Sequence, residues 1–324
     1  MPNKQVLVTG AAGYVGAVLC RQLLDAGHAV VGMDKLLFGG QSLWNLAAHP
    51  NFKFMKGDLC DFAWDYNQVQ KFDCVVHLAA IVGDPACKKF PEEATALMDV
   101  ASKRLFQVCK DAGVRHFIFA STCSNYGIME GDALLDENSP LLPQSHYAKL
   151  KVGFERFLMD HSSALPWTIL RFATAFGHSS RPRFDLTVNH FCKDMSLSRP
   201  LTVFAADSWR PYCHVEDLAS AVALCVDLGP DHLSSMVFNV GSNDMNFNKK
   251  DIVAAIRPWA PQAPVFFNSD SGGDNRNYRV DFRSFTEKTG FKPSQRLEDG
   301  IRETIEFVRE GLLENPDDAR FHNA

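Results

Sequence analysis

The stretch Val6 to Gly16, VLVTGAAGYVG, limits the fold more than any other part of this 324-residue chain. A short apolar run of Val6, Leu7 and Val8 ends at Thr9 and meets Gly10, Gly13 and Gly16. Helical spacing follows, with Val15, Val18, Leu19 and Leu23. The pattern predicts a buried strand, a tight turn and a helix N-terminus in immediate succession. The free N–H groups and positive dipole end of such a helix attract a pyrophosphate. Gly10 permits the turn, Gly13 the approach of a ligand, and Gly16 the packing of helix on strand. Tyr14 and Val15 open the helix and join the candidate cofactor contacts.

The glycines alone are a weak signal, since an ordinary turn carries them too. The next apolar run, AVVGMD, adds to it by ending in Asp34, near the ~20-residue spacing of a ribose-binding carboxylate. Asp34 would accept hydrogen bonds from ribose hydroxyls and repel a 2′-phosphate, which favours NAD over NADP. Lys35 weakens that preference without reversing it.

Further apolar strands alternate with helical patterns through the first half. This implies an α/β chain with a doubly wound parallel sheet covered on both faces. The net charge of −5 argues against a non-specific nucleic-acid binder. No apolar run approaches the ~20 residues of a membrane span, and the N-terminal residues lack a signal-peptide core. Nine scattered cysteines without a CxxC pair read as reduced thiols in a cytoplasm, with neither a disulfide framework nor a metal site.

Helix-compatible sequence runs from Gln41 to Ala48, and a third strand from Asn51 to Lys56. Asp58 then lies at a strand's carboxyl end, where ligands gather in such sheets; a solvated loop acid is the alternative. Asp61 is the expected cap of the next helix. CVVHL (Cys74 to Leu78) is the fourth strand, with His77 a packed strand-end residue. Ile81 to Lys89 is expected as a loop, Pro91 to Ala112 as a long helix, and Arg115 to Ser121 as the fifth strand. A helix capped by Ser145 runs to about His161, and the sixth strand is Trp167 to Phe172. Short strands within Thr202 to His214, a helix Val215 to Leu228 and a seventh strand Val237 to Val240 follow. Lys249 to Trp259 and Leu297 to Glu310 are amphipathic helices. Two lobes result: residues 1–172 plus 214–240, and a smaller discontinuous one of 173–213 plus 241–312. A charged tail, 313–324, is expected to fray.

Tyr147 and Lys151 stand four apart in YAKLK, on one helix face. An unperturbed phenol titrates near ~10, and bringing it to about 7 takes roughly 4 kcal/mol. An adjacent ammonium, a helix N-terminus and an oxidised nicotinamide would favour the phenolate together. Tyr147 would then take a proton from a substrate hydroxyl as hydride leaves the same carbon. A YxxxK pair is common on helix surfaces. Here it follows a dinucleotide signature and has a partner in Thr122 of ASTCSNYG, whose hydroxyl can hold the same oxygen.

The GxxGxxG turn, Asp34, Thr122 four residues before Tyr126-Gly127, and the Tyr147/Lys151 pair resemble the extended short-chain dehydrogenase/reductases. Within them, the resemblance is to NAD-dependent sugar-nucleotide epimerases and dehydratases. It implies a Rossmann doubly wound sheet with a smaller C-terminal substrate lobe, NAD as cofactor, a nucleotide-diphosphate sugar as substrate, and a homodimer through the two long helices. It makes Asp58 and Leu59 adenine contacts and Leu78, Ala79 and Ala80 the cofactor-lining loop. Val82, Gly83, Cys123, Ser124 and Thr174 become candidate sugar contacts; Cys123 also reads as packing. Arg183 and Asn189 of RPRFDLTVNHF, Arg210 of RPYCHVEDLA and Arg276 of DNRNYRVDF become nucleotide and diphosphate contacts, for which arginine forks are suited.

Departures narrow the reaction. Dehydratases of the family place Asp-Glu after the threonine, where this chain has Cys123 and Ser124, so dehydration is disfavoured. Asp99 and Thr174 stand where 4-epimerases carry asparagines. LAAIVGDPACKK and RFATAFG resemble GDP-heptose C4 dehydrogenases. The expectation is oxidation of a C4 hydroxyl to a 4-keto sugar, followed by epimerisation or release. A non-catalytic NAD-sensing regulator is the rival, and it predicts a broken Tyr–Lys pair.

Overall fold

A computed structural model describes residues 3–129, 133–268, 272, 274 and 276–323. Seven parallel strands form the central sheet: β1 (Gln5–Thr9), β2 (Ala29–Asp34), β3 (Phe52–Lys56), β4 (Cys74–His77), β5 (His116–Thr122), β6 (Trp167–Phe172) and β7 (Met236–Val240). Their order is β7-β6-β5-β4-β1-β2-β3. The order reverses between β1 and β4, so a crevice opens at the carboxyl ends of those two strands.

Strand side chains alternate between two packed faces. Val6, Val8, Val76, Ile118 and Leu170 join one cluster, with Leu19 and Leu23 of the helix Tyr14–Asp25 and Val222 of the helix Val215–Leu228. Tyr278, Phe282, Phe285 and Phe291 pack into this same cluster. Leu7, Val75, Phe117, Phe119 and Ile169 join the other, with Phe106 and Phe154 from the helices Ser102–Asp111 and His146–Asp160. A separate core of Phe176, Val188, Tyr212, Ile252, Ile301 and Ile305 builds the smaller lobe.

Several local expectations are corrected. Asp65, not Asp61, caps the next helix, Tyr66–Val69, by accepting from the amide of Asn67. The 41–48 segment holds only a 3-10 turn, Gln41–Leu43. The 81–89 loop contains a short helix, Asp84–Lys89, with Pro85 in its first turn and Gly83 at φ +100° before it. The long helix is interrupted by a π segment, Ala96–Ala101, and the Ser102 hydroxyl donates back to the Leu97 carbonyl at 2.9 Å.

The tail does not fray where it is described. Asp317 pairs with Lys193 at 2.5 Å and Arg199 at 2.7 Å, Phe321 accepts from the amide of Phe184, and Asn323 donates to the Val82 carbonyl at 3.1 Å. Its charge meets opposite charge on the smaller lobe. Asn275, within the late arginine stretch, and residues 1–2 and 324, at the ends of the lobe boundaries given above, lie outside the described residues.

Candidate active site

The carboxyl ends of the sheet and the smaller lobe enclose a cleft of about 680 Å³. Gly10 has φ +77°, and a Cβ there would meet the Ala79 amide at 2.9 Å. A Cβ at Gly16 would collide with the Gly10 carbonyl. Only glycine lets helix, turn and the start of the Leu78 loop meet this closely. Gly13 caps the helix without a side chain, and no acid stands in its first turn. The helix N-terminus therefore faces the cleft unneutralised, as a diphosphate requires.

Asp34 ends β2 with its oxygens accepting from the amides of Ala12 at 3.0 Å and Leu36 at 2.7 Å. Burial raises its carboxyl; the Leu36 and Ala12 amides and the Arg181 charge pull it back. Asp58 accepts from Cys60 and pairs with Lys35 at 2.7 Å. Lys35 is thus turned to Asp58. Gly10, Gly13, Tyr14, Val15, Gly16, Asp34, Asp58, Leu59, Leu78, Ala79 and Ala80 all line the cleft. These residues fit NAD: a glycine cradle for its diphosphate, a carboxylate for its ribose, and apolar walls for its rings.

Thr122, at the end of β5, starts a 3-10 turn, Cys123–Tyr126, by accepting from the Ser124 amide at 3.1 Å. Tyr147 and Lys151 come from the helix that Ser145 caps through the Ala148 amide. All three line the cleft. Lys151 donates to the Ala120 carbonyl at 2.7 Å. Burial, the largest effect, pushes the Tyr147 phenol above its usual range; Cys87 and Asp84 add to this, while Arg183 and Arg276 pull it down. Burial also pulls Lys151 down to about 8. Without the cofactor, burial outweighs the positive charges near the phenol; the expected lowering included an oxidised nicotinamide as well as Lys151. His77 is held neutral, pulled down to about 3 by burial, between the hydroxyls of Thr9 and Ser102 at 2.8 Å each. It packs as the neutral imidazole.

On the substrate side, Val82, Gly83, Ser124, Thr174, Arg183, Arg210 and Arg276 also line the cleft. The arginines are not free. Arg183 pairs with Asp185 at 2.5 Å, and Arg210 with Asp274 at 3.0 Å. Arg276 pairs with Asp274 at 2.8 Å and Asp84 at 2.9 Å, and donates to the Ser124 hydroxyl at 3.1 Å. These pairs set the forks in place before any ligand arrives.

Two expected substrate contacts are corrected. Cys123 is 1% exposed, and its thiol faces the Arg171 carbonyl at 3.3 Å. Burial pushes that thiol well above its usual range, so Cys123 is packing. Asn189 is 2% exposed and spends its amide on Gly177, Tyr14 and Arg183. It holds the 177–183 loop and does not line the cleft. Sequence reasoning missed Asp84, Asp274 and Asn323. The two acids had a readable signal: Asp274 lies in the stretch singled out for Arg276, and Asp84 follows Val82 and Gly83, already named as sugar contacts. Asn323 had none, since nothing local brings the tail to Val82.

The sheet, its glycine turn and the Thr122/Tyr147/Lys151 trio define a dinucleotide-dependent enzyme of the short-chain dehydrogenase/reductase kind. The pattern of the NAD dependent epimerase/dehydratase family matches residues 6–241, and the chain belongs to that family. It is 28% identical over 317 residues to an uncharacterized UDP-glucose epimerase of Bacillus subtilis, covering 94% of this chain and 98% of that protein. It is 29% identical over 314 residues to a UDP-glucose 4-epimerase of Mycolicibacterium smegmatis, covering 94% and 98%. The crystal structure of UDP-glucuronic acid 4-epimerase from Bacillus cereus, in complex with UDP-glucuronic acid and NAD, superposes with a TM-score of 0.85 at 25% identity, covering 94% of this chain and 99% of that one. No helix among the described residues is long and apolar enough to cross a membrane.

Proposed function

We propose that this enzyme oxidises the C4 hydroxyl of a nucleotide-diphosphate sugar to a ketone and then returns hydride to the opposite face, inverting C4. The observation that carries the reading is one cleft lined both by Thr122, Tyr147 and Lys151 and by Arg183, Arg210 and Arg276. NAD, when bound, supplies the hydride acceptor. Thr122 holds the reacting hydroxyl, and Tyr147 Oη takes its proton. Lys151, beside the phenol, favours the phenolate, and the forks of Arg210 and Arg276 hold diphosphate oxygens. No carboxylic acid stands at Cys123 or Ser124 to expel water from the sugar, so the intermediate is not dehydrated.

Release of the 4-keto sugar is the second reading. The resemblance of LAAIVGDPACKK to GDP-heptose C4 dehydrogenases favours it. Incubation with a panel of UDP-, dTDP- and GDP-sugars, followed by product NMR, tests both. A C4 epimer without net NADH supports inversion. A 4-keto product with stoichiometric NADH supports release. No turnover with any of them, despite tight binding, overturns both and returns the NAD-sensing regulator. Val100 and Met159, exposed on the two long helices, support a homodimer through those helices, which sedimentation would test.

A further inference from the structure

Arg181 stands on the 177–183 loop, between the strand Thr174–Phe176 and the helix Thr187–Ser196 of the smaller lobe. That loop is fastened to the first helix of the larger lobe. Tyr14 Oη donates to the Gly177 carbonyl at 2.5 Å, and the Ser179 hydroxyl donates to the Tyr14 carbonyl at 2.7 Å. Arg181 is therefore delivered to the helix end at Gly13-Tyr14 by the fold itself. It lines the same cleft as Gly10, Gly13 and Asp34.

Its guanidinium lies 4.0 Å from the centre of the Phe38 ring, a cation–π contact. Arg181 is only 6% exposed, and its Nε and Nη2 are closed to solvent with no hydrogen-bond partner among the described residues. The neighbouring carboxylates are engaged elsewhere. Asp34 accepts from Ala12 and Leu36, and Asp185 from Arg183. Buried polar groups are ordinarily paired, and a buried cation most of all. Burial, and after it the Arg183 charge, pull this guanidinium down to about 10, against the charges of Asp185 and Asp34.

We propose that Arg181 binds the diphosphate of the dinucleotide, so that the smaller lobe supplies a direct cofactor contact opposite the glycine turn. A planar fork suits two phosphate oxygens, and the helix N-terminus it faces favours the same group. Asp34 stands at the ribose end and repels a 2′-phosphate, so within the dinucleotide the diphosphate is the anion for Arg181. The assignment rests on NAD being the cofactor.

The test is calorimetric titration of the cofactor-stripped full chain with NAD, NADP, ADP-ribose and adenosine. Wild type is compared with Arg181→Met, which keeps the stem against Phe38, and Arg181→Lys, which keeps the charge without the fork. Arg181→Met is expected to lose about 10- to 100-fold in affinity for NAD and ADP-ribose alike, with adenosine unchanged and Arg181→Lys between. Should Arg181→Met fail to fold, the same ranking of ligands with Arg181→Lys decides. NAD affinity within about twofold of wild type overturns the assignment. So does a loss confined to NADP, which would mark a 2′-phosphate contact, or an equal loss for adenosine, which would mark damage to the fold. A wild-type chain that binds adenosine but not NAD overturns the cofactor reading itself.

Discussion

Lys151 Nζ lies 5.8 Å from the centre of the Tyr147 ring, one helical turn away. One cause moves the two groups in opposite directions: burial opposes the ammonium of Lys151 and the phenolate of Tyr147. Each charged form therefore gains from the other. Lys151→Met is expected to lower kcat by about 10²- to 10⁴-fold. It should also remove a pH effect on stability. The folded value of about 8 lies below the ordinary 10.5. Between them the unfolded chain binds the extra proton at this group, so the contribution of Lys151 to stability rises with pH in that window. Buried thiols such as Cys20 and Cys225, raised above their usual range, lower stability with pH in both proteins, so in thermal unfolding of cofactor-free protein from pH 8 to 10.5 the wild type should gain on Lys151→Met.

Arg276 bridges Asp84 and Asp274 and reaches Ser124, so its fork is set before substrate arrives. Arg276→Ala should raise KM for the nucleotide sugar by about 10- to 100-fold. NAD affinity should stay unchanged. Steady-state kinetics and NAD titration on the same preparation separate the two.

The turn that carries Thr122 rests on a buried ion pair. Glu155 accepts from Arg171 at 2.7 Å, from Asn125 at 2.8 Å and from the Ser121 hydroxyl, and Arg171 donates on to the Tyr126 hydroxyl at 3.0 Å. Glu155→Ala leaves Arg171 charged and unpaired and should cost about 3–5 kcal/mol in denaturant unfolding. Glu155→Ala combined with Arg171→Met should recover part of that loss.

His77 and His116 are both pulled down to about 3 by burial. Their folded values lie below the ordinary 6.5, so their contribution is whole above that pH. It is lost as acid protonates the unfolded chain first. Two such groups predict a fall of about 2.7 kcal/mol per pH unit below pH 6. His77→Gln should roughly halve that slope in acid-unfolding curves.

The strands of the central sheet and the cofactor turn were legible because glycine spacing and apolar runs are local. Trp167 to Phe172 and Val215 to Leu228 stand where the periodicity put them. The site was legible where chemistry and spacing coincide, as at Tyr147 and Lys151. It was not legible where a long-range contact decides a side chain's task. Cys123 and Asn189 sit in motifs that suggest substrate, yet tertiary packing turns both away from it. Asp317 and Asn323 belong to a charged segment whose docking depends on Lys193, Arg199 and Val82, far off in sequence. Arg181 was visible only as one of two neighbouring positive charges; its lack of a partner exists only in three dimensions.

The most direct test mixes NAD-loaded wild type and Tyr147→Phe with a nucleotide sugar that wild type turns over, and follows the reduced-nicotinamide absorbance within a single turnover. Wild type should reduce its cofactor rapidly and Tyr147→Phe not at all, with sugar-nucleotide affinity retained in the variant. Reduction by Tyr147→Phe at the wild-type rate would contradict it.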